Sequence, residues 1–187
     1  MKYIFLMITC LSLYACSSTN NEKHLESISK MNTSLDSLEK VMLDNEIDTI
    51  AALRVATNTV ELRIKNYYYS DTIDMALGKK MDAYKVMRRE LGPLSKSYST
   101  VKKGISEERQ TLKNLLSDIQ NGNGDKSKYQ EYVDFENGKI DQLRKILAEY
   151  VKQKEKTMTT FHLLHKELYD FSIAVMNKNM NQKKPKR

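Results

Sequence analysis

The chain has no tryptophan, only two prolines, six glycines and two cysteines in 187 residues. Each shortage excludes something. Glycine and proline punctuate turns, so this few cannot supply an architecture of many short strands. Strand-like alternation of apolar and polar residues is missing as well. No P-loop, dinucleotide-binding fingerprint, nucleophile elbow or HExxH zinc motif occurs. Without such motifs neither an enzymatic activity nor a cofactor is expected.

What is present is charge and helical periodicity. Charged residues make up 29% of the chain, with 31 Lys and Arg against 24 Asp and Glu, a formal net charge of +7. Few breakers, many charges and recurrent Leu, Ile and Met predict long helices.

The N-terminus reads MKYIFLMITCLSLYAC. Lys2 is followed by an apolar run over 3–15. That run is shorter than the roughly 17–25 residues a membrane-spanning helix needs, and it matches the apolar region of a secretory signal. It ends Leu13-Tyr14-Ala15-Cys16, which resembles the lipobox of bacterial lipoproteins. The resemblance covers about the first 16 residues, and Tyr14 is bulkier than the usual residue there. It implies acylation of Cys16, cleavage before it, and diacyl or triacyl anchoring in a membrane. Ser17 in place of Asp implies, by the same resemblance, an outer-membrane location facing the periplasm. Cys10 would leave with the signal and Cys16 would be consumed by lipid, leaving no thiol for a disulfide or a metal site. The expected organisation is a signal over 1–15, a lipidated polar tether over 16–21, a helical domain over 22–178 and a basic disordered tail over 179–187.

Within the helical domain, Thr19-Asn20-Asn21-Glu22 fits a capping box and predicts a helix start. Ile28, Met31, Leu35, Leu38 and Met42 form one stripe at alternating spacings of three and four. The stripe slips through LDNEID (43–48) and resumes as Ile50, Leu53, Thr57, Val60, Ile64 and Tyr67. YYYSD (67–71) reads as a turn with Ser70 or Asp71 as the next cap. The following stripe is Ile73, Leu77, Lys80, Tyr84, Met87 and Leu91, and it keeps phase beyond Gly92-Pro93, which predicts one kinked helix over 71–120. NGNG (121–124) is the strongest turn signal, with Asp125 as cap. The last helix carries a seam from Ile140 to Val175 in the manner of a coiled coil. The predicted fold is all-α: an elongated antiparallel three-helix bundle of segments 22–68, 71–120 and 125–178, or four helices if 43–48 breaks.

Folding about NGNG brings Leu112 to Val133, Ile105 to Ile140, Tyr98 to Leu147 and Tyr84 to Phe161. The same register brings Lys154 near Glu90, and Glu108 near Glu136. The last pair has the composition of a glycosidic acid–base site, or of a polar layer neutralised by Lys30 or Arg109. His162 and His165, three apart, are candidates for a metal site that would need further ligands. Met31, Met42, Met75, Met81, Met87 and Met158 suit either core filling or an adaptable groove. Tyr67, Tyr68 and Tyr69 cannot all face one core, so at least one is a candidate partner contact.

The tail residues Lys183, Lys184, Lys186 and Arg187 suit peptidoglycan or another anionic surface. A helical envelope lipoprotein with a basic C-terminus looks somewhat like the murein lipoprotein family. This chain is much longer and ends in Arg187 rather than Lys, so that family's covalent attachment is not implied. The expectation is a non-enzymatic envelope scaffold with an envelope protein partner, the alternative a periplasmic ligand-binding or chaperone-like module. Homo-oligomerisation through an exposed stripe stays open. An exported chain does not meet nucleic acid, and none is expected as partner.

Overall fold

The computed structural model describes the backbone of residues 2–46 and 50–182, and the side chains of 21–46 and 50–181. It is all-α. Helix α1 spans Lys2–Asp44, α2 Ile50–Tyr67, α3 Met75–Asn121 and α4 Tyr129–Gln182, with a 3₁₀ turn at Lys126–Lys128 before α4. No strand occurs among the described residues.

The helices form two compact units. The first combines α1, α3 from Thr100 onward and α4 up to Leu147; the second combines α2, α3 up to Ser99 and α4 from Ala148. Each unit therefore packs three helical segments. The count of four arises because the first expected segment, 22–68, is interrupted between Asp44 and Ile50. This interruption falls where the apolar stripe slips out of phase. A continuous helix would carry the mismatch onward and turn its apolar face away from one of the cores.

The stripes bury almost as spaced. In the first unit Ile28, Met31, Leu35, Leu38 and Met42 are all buried against Val101, Ile105, Leu112, Leu115 and Ile119 of α3 and Val133, Ile140, Leu143 and Leu147 of α4. In the second unit Val60, Ile64, Tyr84, Met87 and Leu168 form one cluster, with Phe161, Leu164 and Phe171 packed against it. Tyr84 and Phe161 thus share the layer that the register predicted. Tyr98 pairs with the ring of Tyr150, centroids 5.7 Å apart, one helical turn beyond Leu147.

Several local expectations are corrected. Helix α1 runs through the capping box at Thr19 without starting there, because neither Pro nor Gly lies between Lys2 and Asp44 to stop it. The cap of α3 is Asp74, not Ser70 or Asp71: its Oδ1 accepts from the N–H groups of Ala76 and Leu77 at 3.0 and 2.9 Å. Ser70 instead closes a local turn with Thr72. Ile73 consequently precedes the helix and lies 86% exposed rather than in the core stripe.

At its other end α3 closes on Gly122, with φ +69. The N–H of Asn123 bonds the carbonyl of Asp118, and that of Gly122 the carbonyl of Ile119. That pairing is a Schellman cap, which needs a left-handed residue that glycine supplies without strain. Asp125 caps the 3₁₀ turn through Ser127, so α4 begins at Tyr129 rather than at 125. Tyr129 then locks the connection by donating to the carbonyl of Asn123 at 2.6 Å. The α4 helix reaches Gln182, so residues 179–182 are helical rather than part of a disordered tail.

Pro93 lies inside α3. It offers no N–H to the carbonyl of Arg89, a cost of about 3 kcal/mol in an isolated helix. Leu91 and Leu94, on either side, are fully buried, and burial of about 1.5–3 kcal/mol each offsets that cost.

Candidate functional site

The two carboxylates singled out by sequence do meet. Glu108 of α3 and Glu136 of α4 are 4% and 8% exposed. The cation between them is neither Lys30 nor Arg109 but Lys139, whose Nζ lies 2.6 Å from Glu108 Oε1 and 2.9 Å from Glu136 Oε2. Lys30 pairs with Glu26, and Arg109 binds Asp36 and Glu39 of α1. Burial pushes the Glu108 carboxyl above its ordinary range; Lys139 opposes this, while neighbouring Glu136 adds to it. Burial pulls the Lys139 ammonium down, but its hydrogen bonds and charge contacts with the two glutamates outweigh that and raise it. Both carboxylates are held by one ammonium inside the bundle.

The two histidines diverge. His162 is exposed and lies edge-on to Phe161. His165 is half-buried, stacks on Phe161 at 4.4 Å and has its Nδ1 2.5 Å from Tyr84 Oη. Burial lowers the imidazole from its ordinary value and, with the charge of Glu61, raises the Tyr84 phenol. His165 thus belongs to the packing of the second unit. Among the described residues no group of three or more His, Cys, Asp or Glu is placed to hold a metal ion.

Other polar links also place helices. Arg88 of α3 grips Glu61 of α2 through two bonds, Nε to Oε1 at 2.6 Å and Nη2 to Oε2 at 3.1 Å. Lys80 pairs with Glu167. Lys154 turns to the side chain of Asn45 at 3.4 Å rather than to Glu90, and Tyr150 donates to the carbonyl of Asn45 at 2.6 Å. The end of α1 leaves backbone carbonyls without helical partners, and Tyr150 satisfies one of them. Glu90 instead borders a polar groove of about 270 Å³ with Lys152 and Lys156.

A neighbouring groove of about 220 Å³, lined by Ala83, Val86, Met87 and Thr160, is more apolar. Both are below the ~300–1,000 Å³ usual for small-molecule sites, whereas a groove between α2 and α3, bordered by Glu61, Met81 and Arg88, reaches about 410 Å³. Of the methionines, Met31, Met42 and Met87 are core, while Met75 is 66% exposed.

The three tyrosines separate as their crowding predicted. Tyr68 packs on Phe171, centroids 5.4 Å apart. The Tyr67 carbonyl accepts from Asn179 Nδ2 at 2.5 Å, which ties the end of α4 to this turn. Tyr69 is 78% exposed. The lipidation candidate Cys16 falls within the backbone of α1, but its side chain lies outside the described residues, as do Lys183, Lys184, Lys186 and Arg187.

Sequence reasoning missed Gly104. A Cβ placed there would stand 2.4 Å from a methyl of Leu143, so α3 and α4 approach closely at this point of the first unit. The only available signal was a glycine inside an otherwise unbroken helical stripe.

No helix among the described residues is long and apolar enough to cross a membrane. Comparison with known proteins finds no matching family model, no matching curated protein and no matching solved structure.

Proposed function

We propose that this chain is a lipid-anchored, non-enzymatic scaffold of a bacterial cell envelope, held at the outer membrane and binding another envelope component. The observation that carries this reading is the N-terminal pattern: Lys2, the apolar run over 3–15, and Leu13-Tyr14-Ala15-Cys16 followed by a polar stretch. Two or three acyl chains on Cys16 suffice for stable attachment. The helical architecture supports a scaffold role in two ways. Its buried acids are taken up by Lys139, and its half-buried histidine is taken up by aromatic packing. What stands outward is a set of apolar and charged side chains suited to recognition, chief among them Tyr69.

The test is fractionation of cells expressing the full chain, with membranes washed in high salt. The wild type is expected in the salt-resistant membrane fraction, and Cys16→Ala is expected to leave it. An unchanged salt-resistant fraction would overturn the anchor.

A further inference from the structure

We propose that the end of the second unit formed by the α2–α3 turn and the C-terminus of α4 docks on an anionic phospholipid surface. This rests on the envelope reading above and gives its partner a chemistry. Tyr69 and Ile73, at 78% and 86%, are the most exposed large apolar side chains among the described residues, and Met75 beside them is 66% exposed. They do not belong to a frayed end. Ser70 and Thr72 bond one another, Asp74 caps α3, and Asn179 ties α4 to the Tyr67 carbonyl. A built turn therefore holds three apolar groups in water, a standing cost unless something apolar covers them.

The charge is on the same side of the chain's organisation. Residues 45–99 with 148–187 carry 18 Lys and Arg against 11 Asp and Glu, whereas residues 1–44 with 100–147 carry 13 of each. The whole excess thus belongs to the second unit. Four of its cations, Lys183, Lys184, Lys186 and Arg187, begin four residues after Asn179. In sequence they follow directly on α4, whose Asn179 is tied to that turn. Asp71 is the opposing charge within the turn, and Asp74 is engaged as the cap.

Exposed Tyr at headgroup depth, Ile and Met reaching the acyl boundary and a flanking polybasic segment are the components of interfacial membrane binding. A hydrated glycan would answer the cations but give Ile73 and Met75 nowhere to go. The lipid surface answers both.

The test uses the full chain in intact cells. A photoreactive benzoylphenylalanine is introduced at Tyr69, at Ile73 and, for reference, at Leu163, which is 72% exposed elsewhere in the same unit. Adducts are identified by mass after irradiation. Phospholipid adducts at positions 69 and 73 are expected to exceed those at 163 by at least about tenfold. The combined Lys183→Gln, Lys184→Gln, Lys186→Gln and Arg187→Gln variant, altered beyond α4, is expected to lower them by about tenfold. Adducts to one protein or to glycan, or equal lipid yields at all three positions, would overturn the proposal. If that happens while Cys16→Ala still releases the protein from salt-washed membranes, only this proposal falls. If lipid adducts form but Cys16→Ala changes nothing, the anchor falls and this surface stands.

Discussion

Lys139 is the residue on which the polar layer of the first unit depends. With its ammonium 2.6 and 2.9 Å from Glu108 and Glu136, removing it leaves two buried carboxylates facing each other. Lys139→Met is expected to destabilise the fold by about 1–3 kcal/mol near neutral pH. Glu108 has a folded value raised above its ordinary 4.5, so the folded chain holds this proton more tightly than the unfolded chain does, and the stability linked to it is lost as pH rises through the folded value. Acidification should therefore shrink the defect of Lys139→Met, as urea unfolding at about pH 7 and about pH 4.5 would show. His165 has the opposite sign. Burial lowers it from 6.5, so the unfolded chain takes up the proton first and stability falls as pH drops below that value. His165→Gln keeps a hydrogen-bonding side chain opposite Tyr84 and does not titrate. It should flatten the decline in urea midpoint between about pH 8 and about pH 5.5.

At the scale of elements, two glycines in helices of the first unit separate close packing from idle flexibility. Gly104→Ala must push the Leu143 methyl aside, a repacking strain of about 1–3 kcal/mol set against a helix-propensity gain of about 0.5–1 kcal/mol. Gly138 has open space around it, so Gly138→Ala should gain about 0.5–1 kcal/mol from helix propensity. Thermal unfolding is expected to place Gly138→Ala above Gly104→Ala, and equal midpoints would show that Leu143 does not crowd position 104. The element scale also marks what the sequence made legible. The stripe from Ile28 to Met42, the passage of α3 through Pro93 and the Gly122 turn follow from periodicity and glycine chemistry. The meeting of Glu108 with Glu136 follows from register. The identity of their partner does not, because Lys139, Lys30 and Arg109 all lie within reach by spacing and only side-chain geometry chooses. The Asp74 cap was missed because three earlier polar residues offered equal capping chemistry. Gly104 was missed because periodicity carries no signal for how near a neighbouring helix comes.

At the scale of the whole molecule, two bundles of three segments share α3 and α4 but not their first helix, and only one of them carries excess charge. Fold class was open to reading because every segment repeats the same period. The charge imbalance was not, because the units interleave distant stretches of chain and a running count along the sequence averages it away. The interruption after Asp44 has its own consequence. In α4, one added residue between Ile140 and Leu147 would rotate everything beyond it by about 100° and break the seam. Between Asp44 and Ile50 the chain is already out of phase with itself, so a change of length there need not turn either stripe from its core. The junction works as a clutch: the first and second helices keep time with different partners, and evolution can lengthen or trim the join without resetting either.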